Sequence, residues 1–356
     1  MDSLSLQFVP ILMVGFAASL GLTPLSRALA LRLGVVDKPN QRKIHLDHKP
    51  LMGGMAIYIA FALALILFSP PQHVVELGAV ISGAGVLALV GLADDRYNLG
   101  VKIRLIAQTV AALVLIAAGI HIQLFNTPLL DYPLTILWVV SITNAMNFLD
   151  NMDGLCAGIA GIAAGFFTLI AFNEGLTLVS SLAAALMGSA VGFLIYNFNP
   201  ASTFMGDMGA LVIGFVLAVL GIKLEFGTQP LSVTWMVPLL ALALPLVDLP
   251  LVVFTRLREG RSIAQGGKDH TSHRLLSMGL SQRQALFIIY GLCILFGSFA
   301  VAVSTLETSS AFIVGVIGLG LMAGLFAIMV WIRAKYQLPA LQPALQAPTQ
   351  GEGKPS

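Results

Sequence analysis

The sequence predicts an all-α polytopic membrane protein of about eleven transmembrane helices, with its N-terminus outside and its C-terminus in the cytoplasm. The chain has 356 residues, of which 57% are hydrophobic and only 10% are charged. Its mean hydropathy is +0.91. So few polar side chains cannot cover the surface of a soluble domain. The apolar residues also fall into long runs separated by short polar segments, which is the pattern of successive membrane spans.

The first apolar run, from Ser5 to Ala30, has no basic residue ahead of it. It is too long for the core of a signal peptide, and we expect it to be retained as a span. At about 20 residues per span, the chain contains ten further candidates. The eleven predicted spans are residues 8–30, 51–69, 76–93, 103–120, 134–149, 154–172, 175–196, 207–223, 234–255, 284–304 and 309–332.

Basic residues decide the predicted orientation. With the N-terminus outside, four basic segments face one side: Arg32 to Lys49, Arg96 to Arg104, Arg256 to Arg283, and Arg333 onward. Lys223 is the only one of the 19 lysines and arginines that clearly falls on the other side. Cytoplasmic loops carry the excess of lysine and arginine, so the crowded side is predicted to be the cytoplasm. We therefore expect a multi-pass protein of the plasma membrane.

The remaining composition excludes several other classes. The net charge of +2 gives no reason to expect a nucleic-acid partner, because topology explains the basic residues. Cys156 and Cys293 lie in or beside apolar runs and are predicted to be packing residues. Residues 1–335 form one predicted integral-membrane domain. Residues 336–356, rich in Pro, Gln and Gly, form a predicted disordered tail.

Six aspartates gather on the predicted cytoplasmic face, although four separate segments carry them. Each has a plain alternative: an acid pair at a helix end can simply be solvated, and Asp207 after Gly206 can be an ordinary helix N-cap. Asp248 lies inside the ninth span between Pro245 and Pro250. An acid near the bilayer centre costs roughly 2.5 to 3.5 kcal/mol, so it usually faces a partner or a cavity. The six are Asp94, Asp95, Asp150, Asp153, Asp207 and Asp248.

The segment "NAMNFLDNMDG" places Asn144, Asn147, Asp150 and Asp153 at every third position. Three helical residues advance by about 300°, so these side chains stay within about half of the helix circumference. They are predicted to form one polar strip. The alternative is a hydrated helix end that Gly154 terminates.

Gathered carboxylates need protons or a cation. Two unit charges about 4 Å apart at an effective dielectric constant of about 20 repel each other by roughly 4 kcal/mol. Ligands that offer only oxygen suit a hard ion such as Mg²⁺, for which Mn²⁺ can substitute, and no Cys or His spacing indicates zinc. Basic residues supply the complementary anion-binding groups expected for phosphate chemistry. They are Lys43 in the first loop, Lys102 and Arg104 at the fourth span, and His270, His273 and Arg274 in "GGKDHTSHRLLSMG".

The ordered set of motifs resembles the polyprenyl-phosphate N-acetylhexosamine-1-phosphate transferases of glycosyltransferase family 4. The matching segments are "VDKPNQRKIH", "PLMGG", "GLADDRYNLGVKIR", "NAMNFLDNMDGL", "NFNPASTFMGDMG", "PLVD" and the late histidine loop. Within the family, the chain looks more like the WecA and TagO type than the muramoyl-pentapeptide-using type. The resemblance implies transfer of N-acetylglucosamine 1-phosphate from its UDP derivative to undecaprenyl phosphate. UMP would leave, and the product would be the first lipid-linked intermediate of a cell-envelope glycan.

The resemblance also implies roles for individual residues. Asp207 matches the principal Mg²⁺ ligand, with Asp95 as a further ligand, and the pair Asp94 and Asp95 matches acids of catalysis or metal binding. The late loop departs from the family's H-x-H-H pattern, because only His273 and Arg274 align with it and His270 is out of register. The resemblance assigns catalysis to Asp94, Asp95, Asp150 and Asp153, and substrate binding to Asn147, Asp150, Asp153, Lys43, Lys102, Arg104, His273, Arg274 and Asp248.

Two rival functions remain. One is the same reaction on a UDP-muramoyl-pentapeptide or another UDP-N-acetylhexosamine. The other is a cation-coupled transporter, which should hold its acids mid-span in two related halves. Five of the six aspartates lie near span ends and no repeat is visible, which favours the transferase. The oligomeric state is left open, a homodimer included.

Overall fold

In the part of the chain that the structure describes, the protein is a bundle of α-helices with one antiparallel pair of two-residue strands. The computed structural model describes residues 8–37, 49–68, 71–227, 229–263 and 267–336. The first half comprises α1 Phe8–Leu33, β1 Val36–Asp37, β2 Lys49–Pro50, α2 Gly53–Phe68, α3 Val74–Tyr97, α4 Val101–Ala117, α5 Pro128–Leu149 and α6 Leu155–Asn173. The second half comprises α7 Thr177–Asn197, α8 Gly206–Lys223, α9 Leu231–Thr234, α10 Met236–Ala241, α11 Ala243–Arg258, α12 Thr271–Ser277, α13 Gln282–Thr305 and α14 Thr308–Lys335.

Each of the eleven predicted apolar runs contains helix, which confirms an all-α polytopic membrane protein. Among the described residues, eight helices are long and apolar enough to cross a membrane, or nine if one bent pair counts as a span. Helices α2 and α4 have only 16 and 17 residues, short of a span of about 20. The count of eleven therefore stays a prediction. The tail after Tyr336 and the predicted site residue Lys43 lie outside the described residues.

The ninth predicted span is not one straight helix. It is broken between α10 and α11, which meet at 74°. Pro245 stands in the first turn of α11, where its missing N–H leaves the carbonyl of Ala241 without the usual helical donor. Leu246 N donates to Leu242 O, so regular bonding resumes on the far side of the break. The bend gives α11, which carries the buried Asp248, a direction different from that of α10.

The helix ends alternate, and one face of the bundle collects the functional segments. We call it the site face: α1, α3, α5, α7, α11 and α14 end there, and α2, α4, α6, α8 and α13 begin there. Contacts across it include the pair of β1 with β2 and the bonds from Arg283 to Asn199 O and from Arg333 to Glu259. Lys223 lies at the opposite end of α8, where its Nζ is 3.0 Å from Glu76 Oε1.

Glycines bring α2 and α8 into backbone contact. Gly53 N donates to Phe204 O at 3.0 Å, and Gly54 N donates to Met205 O at 2.9 Å. A Cβ on Gly54 would overlap the backbone of Gly209, so neither helix could approach this closely with larger residues. The segments "PLMGG" and "FMGDMG" are therefore adjacent parts of one packed junction that fixes the N-terminus of α8.

Candidate active site

Asp95 caps the start of α8. Asp207 N donates to Asp95 Oδ1 at 2.9 Å, and Met208 N donates to Asp95 Oδ2 at 3.3 Å. These amides belong to the first turn of the helix, which has no partners of its own for them. Gly206, at φ +70°, makes the sharp entry, and a Cβ there would collide with the Asp95 carboxylate. The structure thus commits both Asp95 oxygens to α8, and Asp207 is not the N-cap of its own helix.

Asp94 and Asp207 face each other across Arg104. One guanidinium nitrogen, Arg104 Nη1, lies 3.1 Å from Asp94 Oδ2 and 3.1 Å from Asp207 Oδ2. Asp94 is 7% exposed, and its other oxygen, Oδ1, has no hydrogen-bond partner among the described residues. The C-terminus of α3 and the N-termini of α4 and α8 thus bring two acids and one base together.

The predicted polar strip is divided between different partners. Asn144 Nδ2 donates at 2.7 Å to Oε1 of Gln108, a buried residue of α4. Asp153 Oδ2 accepts from Ala201 N at 2.9 Å and from Asn199 Nδ2 at 3.1 Å, which fixes the loop that leads to α8. The strip was predicted for a continuing helix, but α5 ends at Leu149.

Asp150 stands at the end of α5, beside the Asp207 cluster. Burial, reinforced by the carboxylates of Asp207, Asp153 and Asp37, raises the pKa of Asp150 to about 7. Its carboxyl can therefore hold or release a proton near neutral pH, which suits proton transfer. Asn147, partly buried one turn earlier, precedes it on α5. The catalytic and substrate roles of both residues remain predictions.

Asp248 has its partners in the late loop. It is fully buried, and its two oxygens bind His270 Nδ1 at 2.7 Å and Thr271 N at 2.7 Å. Asp248 therefore anchors the start of α12, and its predicted contact with substrate is not what this structure shows. The role of His270 as the partner of Asp248 was not predicted from the sequence. A signal existed, because a buried acid inside a span requires a partner, and the histidine loop lies in the polar segment that follows the same span.

Arg274 is also structural in this arrangement. Its Nε donates to Asp269 O at 2.9 Å, its Nη1 to Met329 O at 2.5 Å, and its Nη2 to Thr255 Oγ1 at 2.6 Å. The side chain is 2% exposed. Each guanidinium nitrogen thus serves a protein acceptor, so the predicted phosphate contact does not fit the position of Arg274. Asp269, which sequence analysis passed over, is the acid around which this segment is built.

His273 and Lys102 remain candidates for substrate binding. Burial, with smaller contributions from His270 and Lys268, lowers the pKa of His273 to about 4, so the ring is neutral at pH 7. Its Nδ1 has no hydrogen-bond partner among the described residues. A neutral imidazole can still donate one hydrogen bond to a phosphate oxygen. Lys102 is exposed at the start of α4, two residues before Arg104.

Only some residues of the acidic cluster are suited to bind a magnesium ion. Within the described residues, no group of three or more His, Cys, Asp or Glu side chains is arranged to hold a metal. Asp95 is committed to backbone amides, which argues against its predicted role as a ligand. Asp207 and Asp94 offer the hard oxygen donors that Mg²⁺ prefers, and Asp94 Oδ1 is buried without a partner. A site that uses two carboxylates is common for Mg²⁺, because substrate phosphates and water complete its shell.

Comparisons with known proteins show which family the chain resembles. The model of the family described as "Glycosyl transferase family 4" matches residues 76–225, a range that holds every predicted aspartate except Asp248. A probable undecaprenyl-phosphate N-acetylglucosaminyl 1-phosphate transferase of Bacillus subtilis is 32% identical over 314 residues, which cover 86% of this chain and 87% of the relative. A decaprenyl-phosphate N-acetylglucosaminephosphotransferase of Mycolicibacterium smegmatis is 33% identical over 302 residues, 74% of each chain. An undecaprenyl-phosphate alpha-N-acetylglucosaminyl 1-phosphate transferase of Salmonella typhi is 31% identical over 286 residues, 74% of this chain and 75% of the relative.

Fold and site together define an integral membrane protein with an acidic, arginine-bridged centre where its helices end. The extent and identity of the match then make the assignment specific. This chain belongs to glycosyl transferase family 4.

Proposed function

We propose that this protein transfers N-acetylglucosamine 1-phosphate from UDP-N-acetylglucosamine to a polyprenyl phosphate, undecaprenyl phosphate in the first instance, and releases UMP. The observation that carries the proposal is the position of Arg104, 3.1 Å from both Asp94 and Asp207 at the ends of three helices. The arginine can bind phosphate groups, and the acids can hold a cation or accept a proton. Their position at a membrane face gives access both to a soluble phosphorylated donor and to a phosphorylated lipid in the membrane. The relatives are named for this transfer.

The reaction is a displacement at the sugar-bearing phosphorus. An oxygen of the lipid phosphate forms the new P–O bond, and the bond to the UMP oxygen breaks, so the product is a lipid-linked diphosphate sugar. Asp94 or Asp150 accepts the proton of a monoprotonated lipid phosphate, and the pKa of Asp150 near 7 makes that exchange feasible at neutral pH. Arg104 leaves its acidic partners in part to contact the pyrophosphate.

Mg²⁺ is the proposed cofactor, with Mn²⁺ as a substitute. Asp207 and Asp94 would hold the ion, and its charge would offset the charge of the donor pyrophosphate and of the departing UMP. Asp95 serves the ion indirectly, because it fixes the first turn of α8 on which Asp207 stands. His273 and Lys102 remain the proposed phosphate contacts at the rim.

The proposed location is the plasma membrane, with the site face in the cytoplasm, the N-terminus outside, the C-terminus inside and eleven membrane passages in all. Apart from Lys223, the described lysines and arginines outside the first helix lie in segments at the site face. The cytoplasmic side of a membrane protein carries this excess of lysine and arginine. UDP-sugars are cytoplasmic metabolites, so this orientation gives the donor access.

The test is a transfer assay with the purified protein in detergent. The protein is incubated with undecaprenyl phosphate, Mg²⁺ and radiolabelled UDP-N-acetylglucosamine, and the extracted lipid is counted. We expect labelled lipid, loss of labelling with a chelator, and recovery when Mg²⁺ or Mn²⁺ is restored. Product from the UDP-muramoyl-pentapeptide alone would overturn the choice of donor, and no product from any UDP-N-acetylhexosamine would overturn the enzyme assignment.

A further inference from the structure

The short helix α12 cannot hold its own position. It has seven residues, Thr271–Ser277, and isolated helices shorter than about 12 residues are marginal in water. We call residues 269–274, which carry His270 and His273, the histidine segment. Its geometry must come from contacts with other elements. One such contact is Ser272 Oγ, which donates to Asn151 Oδ1 at 2.6 Å and joins the segment to the turn that holds Asp150 and Asp153.

Two acids mark the ends of the chain that connects α11 to the histidine segment. Glu259 follows α11, and Asp269 opens the histidine segment. Arg261 joins these ends: its Nη2 donates at 2.6 Å to Glu259 Oε2 and at 2.6 Å to Asp269 Oδ1. Arg256 adds a bond from Nε to Asp269 Oδ2 at 3.1 Å. The carboxylate of Asp269 is 1% exposed and needs these cations.

A second arginine reaches the same two acids from another element. Arg333, in the last turn of α14, places Nε 3.2 Å from Glu259 Oε1 and Nη2 3.6 Å from Asp269 Oδ1. One turn earlier, Met329 O accepts from Arg274. The end of the last helix therefore touches both ends of the connecting chain and the buried arginine of the histidine segment.

Arg261 and Arg333, which both contact Glu259 and Asp269, stabilise different parts of the structure. Arg261 belongs to the connecting chain itself, so its bonds close that chain on itself. Arg333 belongs to α14, so its bonds fix the closed chain relative to the helix bundle and the acidic cluster. Loss of Arg333 leaves Arg256 and Arg261 to neutralise Asp269 and Glu259. The described residues at the two ends of the connecting chain then keep their bonds to each other and lose only the tether to α14.

We propose that Arg333 is a positioning residue of the active site: from the end of α14 it holds the histidine segment in register with the Asp150 turn. Arg333 does not contact substrate. It acts through Glu259 and Asp269 on His273, one of the proposed phosphate contacts, which we assign here to the donor pyrophosphate. The expected change in KM rests on the proposed function. The structural tether from Arg333 to Glu259 and Asp269 does not depend on it.

The kinetic test compares Arg333→Gln with Lys335→Gln. Lys335 lies in the same helical turn and carries the same charge, but its Nζ stacks 4.8 Å from the Trp331 ring and not on the connecting chain. We expect Arg333→Gln to raise the KM for UDP-N-acetylglucosamine about fivefold, because a partly exposed ion pair contributes up to about 1 kcal/mol. The KM for polyprenyl phosphate should stay unchanged. Lys335→Gln should leave both constants unchanged. Arg333→Lys, which keeps the charge and loses the planar fork, should fall between wild type and Arg333→Gln.

Limited trypsin digestion tests the tether without any substrate. Arg333→Gln should be cut faster after Arg261 and Lys268 than wild type and Lys335→Gln, as fragment masses would show. An equal rise in both KM values, or no change in either, would overturn the positioning role. If the wild-type protein transfers no sugar phosphate, the proposed function is wrong. Independently of that result, trypsin cleavage of Arg333→Gln at the wild-type rate would overturn the tether. If Arg333→Gln does not fold, Arg333→Lys decides: kinetics and cleavage equal to wild type would overturn the proposal.

Discussion

Asp94 and Asp95 are neighbours in sequence but have different tasks. Successive helical residues point about 100° apart. Asp94 therefore faces Arg104, while Asp95 accepts from two amides in the first turn of α8. The sequence predicts that both acids belong to the site. It cannot predict which one caps α8, because that depends on where the start of a distant helix docks.

This division of roles predicts different behaviour for two aspartate variants. Asp207→Asn should abolish transfer and leave Tm in detergent unchanged or higher, because one member of a like-charged cluster is removed. Asp95→Ala should also reduce transfer, but it should lower Tm, because α8 loses a cap worth about 1 to 2 kcal/mol. The measurements are lipid labelling and thermal unfolding of the purified variants.

Glu225→Gln is the matched control for these variants. Glu225 is an acid beside Lys223 at the opposite end of α8, and its side chain is 72% exposed. Its neutralisation should change neither labelling nor Tm. Lipid labelling by Asp207→Asn at near wild-type levels would contradict a role for Asp207 in the active site. An unchanged Tm for Asp95→Ala would contradict the role of Asp95 as the cap of α8.

At the scale of elements, the sequence places motifs at helix ends correctly but cannot assign their partners. The spacing of Asn144 and Asp153 predicts one strip only if α5 continues, yet the helix ends at Leu149. Asn144 then pairs with Gln108, a residue that carries no motif of its own. His270 is out of register with the family pattern and still finds Asp248. Pairings between distant segments depend on packing, which periodicity does not encode.

The junction of α2 and α8 supports a prediction about backbone approach. Gly54→Ala should lower Tm and transfer together, because its Cβ would overlap Gly209 and force apart the helices that position Asp207. Overpacking of this kind costs about 1 to 3 kcal/mol. The control is Gly78→Ala in α3, where an added Cβ meets nothing within 4 Å. This control should be neutral or slightly stabilising, and a Gly54→Ala protein as stable and active as Gly78→Ala would contradict the close contact.

At the scale of the whole molecule, hydropathy predicts the helices better than it predicts their number. All eleven apolar runs contain helix, but α2 and α4 are short and the ninth run is bent by 74°. Length rules count straight spans, whereas a proline break changes direction inside one apolar run. The alternation of helix ends is more informative, because it puts the acids of α3, α5 and α8 on one face whatever the length of each passage.

The same alternation predicts which residues share a side of the membrane. Glu307, between α13 and α14, lies opposite the site face, whereas Lys102 at the start of α4 lies on it; both are exposed. The native Cys156 and Cys293 are buried, so single cysteines can be introduced at Glu307 or Lys102 over little background. In intact cells, a membrane-impermeant maleimide should label Glu307→Cys at once and Lys102→Cys only after permeabilisation. The reverse pattern would invert the proposed orientation, and labelling of both positions from one side would contradict the alternation of the helices.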